Sequence, residues 1–283
     1  MAIAYPTAQS VMQAASHDAG RRGSAIAYVV RSRAPQPSSV PSWGLVMGNW
    51  ISAPPPQKAG DQLWLCAHDL KGRARLTPRA VELACGSAVF GELVIDGYLE
   101  VVDGRARLLE QGWEHLKAPC VFRRPAVVRW LLERISGSPR TVLDDWITDI
   151  APDAPLWIVR RLEKQGMVRP VQPGRFVFWR TTPRYAPVDL NAPHHLGDHL
   201  AMALQRRSSL TVVDVFLAGL LQATQLHHKA IAGLPHLDDL ITAELHTLTQ
   251  STDTESAVCE RSLSTLLTHT RQLINTAVLA HTL

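Results

Sequence analysis

The sequence predicts a mainly α-helical fold, a single helical-bundle domain with two small β-hairpins. The segment from Pro78 to Glu92 is apolar nearly all round, and a helix that is apolar on every side must be buried on every side. From Leu196 onward the pattern is helical to the end, with short breaks. Two turn pairs, Asp103-Gly104 and Pro173-Gly174, separate short strand-like segments, which is typical of hairpins.

Composition and charge limit the class of protein. The chain has 283 residues, of which 46% are hydrophobic and 19% charged, enough for a sizeable core. Its formal charge of +4 suits an anionic surface but is too small to require nucleic-acid binding. The four cysteines are widely spaced and form no C-x-x-C pair, so they predict reduced, mostly buried thiols in a cytosolic protein.

The sequence predicts no membrane-spanning segment. No apolar run reaches the ~18–20 residues that span a bilayer, and the N-terminus lacks the pattern of a signal peptide. We therefore expect a soluble, cytoplasmic protein, and any association with a membrane must be peripheral. Residues 1–60, rich in Pro, Ala and Ser, are predicted to form an N-terminal extension, and residues 61–283 the helical domain.

The elements of the first half follow from local signals. Gln62–Ala67 is predicted as a buried strand. Thr77 is the expected N-cap of the central helix, and Pro78 suits its first turn. Tyr98–Leu109 is the first hairpin, because Asp103-Gly104 favours a type I′ turn. Glu92 lies in the buried helix, and a buried carboxylate needs a partner.

The remaining elements are predicted from amphipathic spacing and from Gly and Pro positions. Three amphipathic helices are expected at Pro125–Ile135, Arg140–Ile150 and Pro155–Gly166. The second hairpin pairs Met167–Val171 with Arg175–Arg180. The late apolar helix Leu210–Leu221 is expected to pack against the central helix.

The order of four segments resembles that of the Golgi phosphoprotein 3 family. They are the stretch Leu63–Leu99, the RLEKQGMV segment from Arg161 to Val168, an aromatic hairpin and a late apolar helix. The resemblance covers Leu63 to about Leu248. It implies a mostly helical, lipid-binding, peripheral-membrane protein of the bacterial type, and implies that the second hairpin takes part in membrane contact and self-association.

The residues that hold phosphatidylinositol 4-phosphate in that family are one Trp and several Arg. Counted from Glu92-Leu93 and from Gly166, these positions fall in this chain on Thr77, Gly86, Ala154 and Trp157. None of them retains the family's residue type. We therefore expect anionic headgroups to be selected by charge more than by the position of a phosphate.

The candidate lipid-binding residues lie on the helix before the second hairpin and within that hairpin. Cations beside interfacial aromatics are what an anionic headgroup surface favours, and spacing at i, i+3, i+4 and i+7 puts the helical residues on one face. Further arginines, Arg169 and Arg184, lie in or beside the hairpin. The candidates are Trp157, Arg160, Arg161, Lys164, Arg175, Phe176, Phe178, Trp179 and Arg180. Residues 168–180 are also the predicted surface for self-association.

Two alternatives remain open from the sequence. A helix pair followed by a basic hairpin also outlines a winged helix-turn-helix, although the small net charge speaks against nucleic acid. Asp144, Asp145 and Asp149 resemble the aspartate-rich motif of terpene synthases, which would make the protein a Mg²⁺-dependent enzyme acting on a prenyl diphosphate. Apart from that alternative, we predict no catalytic residue, metal or cofactor. The pairs His195/His199 and His227-His228 lack an evident third ligand.

Overall fold

The computed structural model describes residues 58–118, 126–138, 141–171, 183–206, 210–250 and 256–280. All of them belong to the unit that spans Ile51–Leu283. Helices make up most of this part of the chain, and its strands form two antiparallel two-stranded sheets. The predicted fold class is therefore confirmed. Nearly all of the predicted extension, residues 1–60, lies outside the described residues, so the domain boundary stays a prediction.

The elements follow one another along the chain in this way. The helices are α1 Ala59–Ala67, α2 Pro78–Ile95, α3 Glu110–Lys117, α4 Ala126–Gly137, α5 Leu143–Ile150, α6 Ala154–Lys164, α7 Ala192–Arg206, α8 Val212–Ala223, α9 His227–Ala230, α10 Leu237–Gln250 and α11 Ser256–Ala280. The strands are β1 Leu99–Val102, β2 Arg105–Leu108, β3 Val168–Val171 and β4 Arg184–Pro187.

Helix α2 lies at the centre of the core. Its start is the predicted one, because the Thr77 side chain accepts a hydrogen bond from the Ala80 N–H at 3.4 Å and Pro78 occupies the first turn. Phe90 and Leu93 are fully buried. The helix contacts α1, α5, α6, α8 and α11. Its all-round apolar sequence is thus explained by neighbours on every side.

Helix α1 corrects a prediction, since Gln62–Ala67 was expected to be a strand. All nine residues of α1 are buried. A segment buried on every side shows neither the alternation of a half-buried strand nor the stripe of an amphipathic helix, so its periodicity cannot distinguish the two. The helix begins at Ala59, within the predicted extension, and its first turn carries the buried Asp61.

The first hairpin is confirmed. Strand β1 pairs antiparallel with β2, and Val102 faces Arg105 across the turn. Asp103 and Gly104 have φ values of 51° and 67°. Positive φ at both central residues is the requirement of a type I′ turn, which explains this residue pair.

The second hairpin has a different partner strand from the one predicted. Strand β3 pairs with β4, so that Val171 faces Arg184, whereas a tight turn at Pro173-Gly174 would have paired it with the Arg175–Arg180 segment. That turn and that segment lie outside the described residues. The loop between α1 and α2 lies against β4, because a Cβ on Gly72 would overlap the Tyr185 carbonyl, and φ at Gly72 is +71°.

The amphipathic helices and the late helices are confirmed with small shifts at their ends. The three amphipathic segments form α4, α5 and α6. Helix α8 begins with a capping box between Thr211 and Asp214. It packs on α2 so closely that a Cβ on Gly91 would overlap the ring of Phe216. The expected contact between α8 and the central helix is therefore present.

The described cysteines are free thiols. Cys66 in α1 and Cys85 in α2 are buried, and Cys259 in α11 is half-buried. Burial raises the pKa of Cys66 and of Cys85 to about 12, because a thiolate is poorly solvated in the core. The fourth cysteine, Cys120, lies outside the described residues.

A buried ion network joins α1, α2 and α6. The Arg161 guanidinium donates from Nη1 and Nη2 to the two carboxylate oxygens of Glu92, both at 2.7 Å. Its Nε donates to Oδ1 of Asp61 at 2.7 Å. Glu92 Oε1 also accepts from the Gly60 N–H at 3.0 Å, and the Lys58 ammonium lies 3.7 Å from Oε2. The expectation that Glu92 has a partner is confirmed.

The network holds more negative than positive charge at its buried centre. Asp61 and Glu92 both face the guanidinium of Arg161, while Lys58 is more than one-third exposed. Oδ2 of Asp61 is buried without a hydrogen-bond partner. Burial raises the pKa of Asp61 to about 6, although Arg161 opposes the shift. Asp61 therefore keeps its proton to a higher pH than an exposed aspartate.

We expect Glu92→Leu to lower the free energy of unfolding by about 1–3 kcal/mol, because the partly buried Arg161 guanidinium loses its bidentate partner and keeps only Asp61. Urea unfolding measures the change. The double variant Glu92→Leu/Arg161→Met should lose less than the sum of the two single changes, since it removes both charges together. Additive losses would show that the two side chains are not coupled.

We also expect Asp61 to make the folded protein less stable as the pH rises from about 4 to about 6. The unfolded chain loses this proton near the ordinary value of 3.8, whereas the folded chain keeps it to about 6. Between those values the folded state binds more protons, so a rise in pH favours unfolding. Below the window both states are protonated, and above it the destabilisation is complete.

The matched variant is Asp61→Asn, which keeps the shape and removes the titration. Its free energy of unfolding, measured by urea at a series of pH values, should increase relative to the parent across that window and stay level above it. Parallel curves for the two proteins would contradict the raised pKa of Asp61.

Candidate functional site

A cleft lined by four cations lies between the α1–α2 loop and the second hairpin. It has a volume of about 540 Å³. We call it the basic cleft, and its lining residues are Leu70, Lys71, Arg73, Arg169, Pro170, Val171, Arg184 and Ala186. Among these lining residues there is no carboxylate. The basic cleft is therefore a concentrated positive surface on a chain whose net charge is only +4.

The loop that supplies Lys71 and Arg73 is shaped by Asp69. Its Oδ1 accepts hydrogen bonds from the backbone N–H of Lys71 at 2.8 Å and of Arg73 at 2.7 Å. Slight burial would raise the pKa of Asp69, but these two hydrogen bonds and the nearby arginines outweigh it and lower that pKa. An ionised Asp69 thus fixes a tight turn from which both basic side chains project.

The opposite wall is one face of the second hairpin. Arg169 and Val171 are two residues apart on β3, so they share a face. Their cross-strand partners are Ala186 and Arg184, which share that face on β4. Two arginines therefore meet on one side of a short hairpin, and the contact of Gly72 with β4 brings the loop cations to the same place.

None of the four cations forms an ion pair at up to 4.0 Å within the part of the chain that the structure describes, although Arg73 is close enough to Asp69 to lower its pKa. The ion pairs found there at up to 4.0 Å involve other residues. Two aliphatic side chains at the cleft are exposed, Leu70 at 41% and Val171 at 38%. An unpaired positive surface beside exposed apolar groups suits an anion that is attached to something apolar.

The structure divides the predicted lipid-binding residues of α6 into two sets. Arg160 and Lys164 are exposed, as expected for a surface that meets an anion. Trp157 is half-buried and packs edge-to-face on Trp130, with ring centroids 5.7 Å apart. Arg161 is partly buried, because its guanidinium pairs with Glu92 and Asp61, and its part in lipid binding stays a prediction. Helical spacing identified the face of α6 on which Arg161 lies, but it could not show that two carboxylates from other helices bind its guanidinium.

The predicted residues of the second hairpin lie outside the described residues, in the connection between Val171 and Arg184. They are Arg175, Phe176, Phe178, Trp179 and Arg180. Their part in lipid binding, and self-association through residues 168–180, stay predictions. The chain enters and leaves this connection at the basic cleft, since Val171 and Arg184 both line it.

The positions that hold a phosphoinositide in the resembled family have structural roles in this chain. Thr77 caps α2. Gly86 is buried against α5, and a Cβ there would already lie 3.2 Å from the Ile147 carbonyl oxygen. Ala154 is fully buried at the start of α6. An arginine at Gly86 would have no room, so the departure from the family pattern is built into the packing.

The aspartate-rich helix does not support the alternative of a magnesium enzyme. Asp144 lies 2.6 Å from Nδ1 of His269, and Asp149 pairs with Arg134 at 2.9 Å. Asp145 is exposed. Asp144 and Asp149 thus have separate partners, and none of the three aspartates lines the cleft beside the second hairpin or the cleft beside α9. The arrangement therefore gives no support to the alternative of a shared Mg²⁺ site on α5.

Sequence reasoning missed Lys71 and Arg73, and it placed Arg169 and Arg184 only near the hairpin. The available signal was the run Lys71-Gly72-Arg73, a basic turn beside a buried segment. Its significance depends on the contact between Gly72 and β4, which joins residues about 110 positions apart and leaves no periodic pattern.

Comparison with known proteins places the chain in a family. No described helix combines the length and apolarity that crossing a membrane requires. A search of curated proteins gives no match. The family model described as Golgi phosphoprotein 3 (GPP34) matches residues 59–270, which is most of the chain and includes every element from α1 to most of α11. The chain, with its central buried α2 and its two hairpins, belongs to the Golgi phosphoprotein 3 family.

Proposed function

We propose that this protein is a cytoplasmic, peripheral-membrane adaptor whose basic cleft binds anionic phospholipid headgroups. The observation that carries the proposal is the group of four cations, Lys71, Arg73, Arg169 and Arg184, which line one cleft with no carboxylate among its lining residues. Membership of the Golgi phosphoprotein 3 family supports it. The exposed Leu70 and Val171 give the same surface an apolar component.

The charges are sufficient for useful affinity. Each Lys or Arg near an anionic membrane contributes about 1 kcal/mol. Four such residues together contribute about 4 kcal/mol, which corresponds to about a thousandfold in partitioning. Arg160 and Lys164 on α6 are exposed and can add to this attraction if they lie near the same surface. Salt reduces the attraction, because the Debye length at physiological ionic strength is only about 8 Å.

We expect the double variant Lys71→Ala/Arg73→Ala to weaken co-sedimentation with phosphatidylglycerol vesicles by about thirtyfold, since it removes two charges worth about 1 kcal/mol each. Arg169→Ala/Arg184→Ala should act similarly. The matched control is Arg105→Ala/Arg107→Ala, which removes two exposed arginines from the first hairpin. An equal loss in the control, or binding that does not change with salt, would contradict the assignment to the basic cleft.

We further expect selection by charge more than by headgroup identity, because the family's phosphoinositide positions are occupied here by other residue types, namely Thr77, Gly86, Ala154 and Trp157. Phosphatidylserine or phosphatidylglycerol vesicles should compete nearly as well as phosphatidylinositol 4-phosphate vesicles of equal charge density. Competition between vesicle types in a co-sedimentation assay measures this. Strict preference for the phosphoinositide would mean that the four cations form a specific phosphate site.

A further inference from the structure

A second cleft, at the corner where α8, α9, α10 and α11 meet, contains three potential metal ligands. Its volume is about 660 Å³. His227 and His228 are consecutive residues of α9, and Asp238 lies in the first turn of α10. One ligand atom from each of the three residues lies within 4.8 Å of the others. Within the described part of the chain, this is the one group of three or more His, Cys, Asp and Glu side chains whose ligand atoms lie this close together.

His227 is buried, and one nitrogen of its ring is paired with Asp238. The side chain is only 6% exposed. Nε2 lies 2.8 Å from Oδ1 of Asp238, the distance of an ion pair, and Nδ1 is buried without a hydrogen-bond partner. An imidazole nitrogen and a carboxylate oxygen are also the donor atoms that zinc binds, and here they lie together at the edge of the cleft.

The spacing of the ligand atoms suits tetrahedral coordination. His228 Nε2 lies 3.2 Å from Oδ2 of Asp238, and the rings of His227 and His228 are 4.0 Å apart and tilted by 41°. Zinc binds imidazole nitrogen and carboxylate oxygen at about 2.0–2.2 Å, which places tetrahedral ligand atoms about 3.3 Å from one another. The distance from His228 Nε2 to Asp238 agrees with that value, and the 2.8 Å from His227 Nε2 to Asp238 is about half an ångström shorter.

We propose that His227, His228 and Asp238 bind a Zn²⁺ ion, with the fourth coordination position open to the cleft. Two imidazoles and one carboxylate favour zinc over Mg²⁺ or Ca²⁺, which prefer oxygen ligands throughout. Lys229 and Arg271 also line the cleft, and their charges would draw water or an anionic group, not a second cation, to the open position. The site shares no residue with the basic cleft and does not depend on the proposed lipid binding.

Binding of Zn²⁺ to these three residues would link α9 to α10. Helix α9 has only four residues, and the ion would join two of them to the first turn of the next long helix. A ligand that binds only the folded state raises its apparent stability. Zn²⁺ should therefore stabilise the protein through this corner, while leaving the α1–α2–α6 ion network unchanged.

The test uses the full chain, stripped of metal with a chelator, and titrates it with Co²⁺ and then with Zn²⁺. We expect one Co²⁺ per chain, with the intense visible absorption of a tetrahedral site, and displacement of Co²⁺ by Zn²⁺. His228→Ala and Asp238→Asn should each weaken binding by more than about tenfold, since even changes to groups that only support ligands cost about 10–100-fold. Both side chains are more than half exposed, so the variants should fold.

The matched control is His236→Ala, which removes an exposed histidine from the loop before α10. It should keep the absorption, the stoichiometry and the rise in melting temperature with Zn²⁺. Absence of a one-to-one complex would overturn the proposal, as would binding that survives both His228→Ala and Asp238→Asn or is lost equally in His236→Ala. Circular dichroism of the metal-free variants confirms that each is folded.

Discussion

One guanidinium has to satisfy two buried carboxylates, and three helices are arranged around that requirement. Arg161 on α6 reaches Glu92 on α2 and Asp61 on α1, at distances of 2.7 Å. Apolar packing alone is non-directional, whereas a bidentate pair fixes the rotation of each helix that contributes to it. The apolar core provides the driving force for folding, and the ion network determines how α1, α2 and α6 are oriented within that core.

The basic cleft follows from this arrangement, because both of its walls continue from helices of the network. Helix α1 leads into the loop that carries Lys71 and Arg73, and α6 leads into β3, which carries Arg169. The contact of the Gly72 loop with β4 then brings the two walls together. Basic residues of this chain thus have two distinct roles. Arg161 pairs with two buried carboxylates, whereas the cleft cations form no ion pair within 4.0 Å in the described part of the chain.

Much of the architecture can be predicted from sequence, where the signal is local. The Thr77 cap, the Asp103-Gly104 turn and the amphipathic stripes of α4, α5 and α6 each depend on residues a few positions apart, and each was found. The failures concern information that is not local. Total burial removed the periodicity that would have identified α1 as a helix, and neither the pairing of β3 with β4 nor the burial of Arg161 depends on near neighbours. The need of Glu92 for a partner was predictable, but the identity of that partner was not.

The buried thiols of Cys66 and Cys85 allow the opening of the core to be followed chemically. Both residues lie in helices of the ion network, and a thiol whose pKa is about 12 has almost no thiolate near neutrality. Alkylation of these two residues then requires the core to open, and its rate reports the free energy of that opening. Cys259 in α11, which is half-buried, reports on a different part of the same unit. The three cysteines together are native probes of whether the centre of the domain and its C-terminal helix unfold as one.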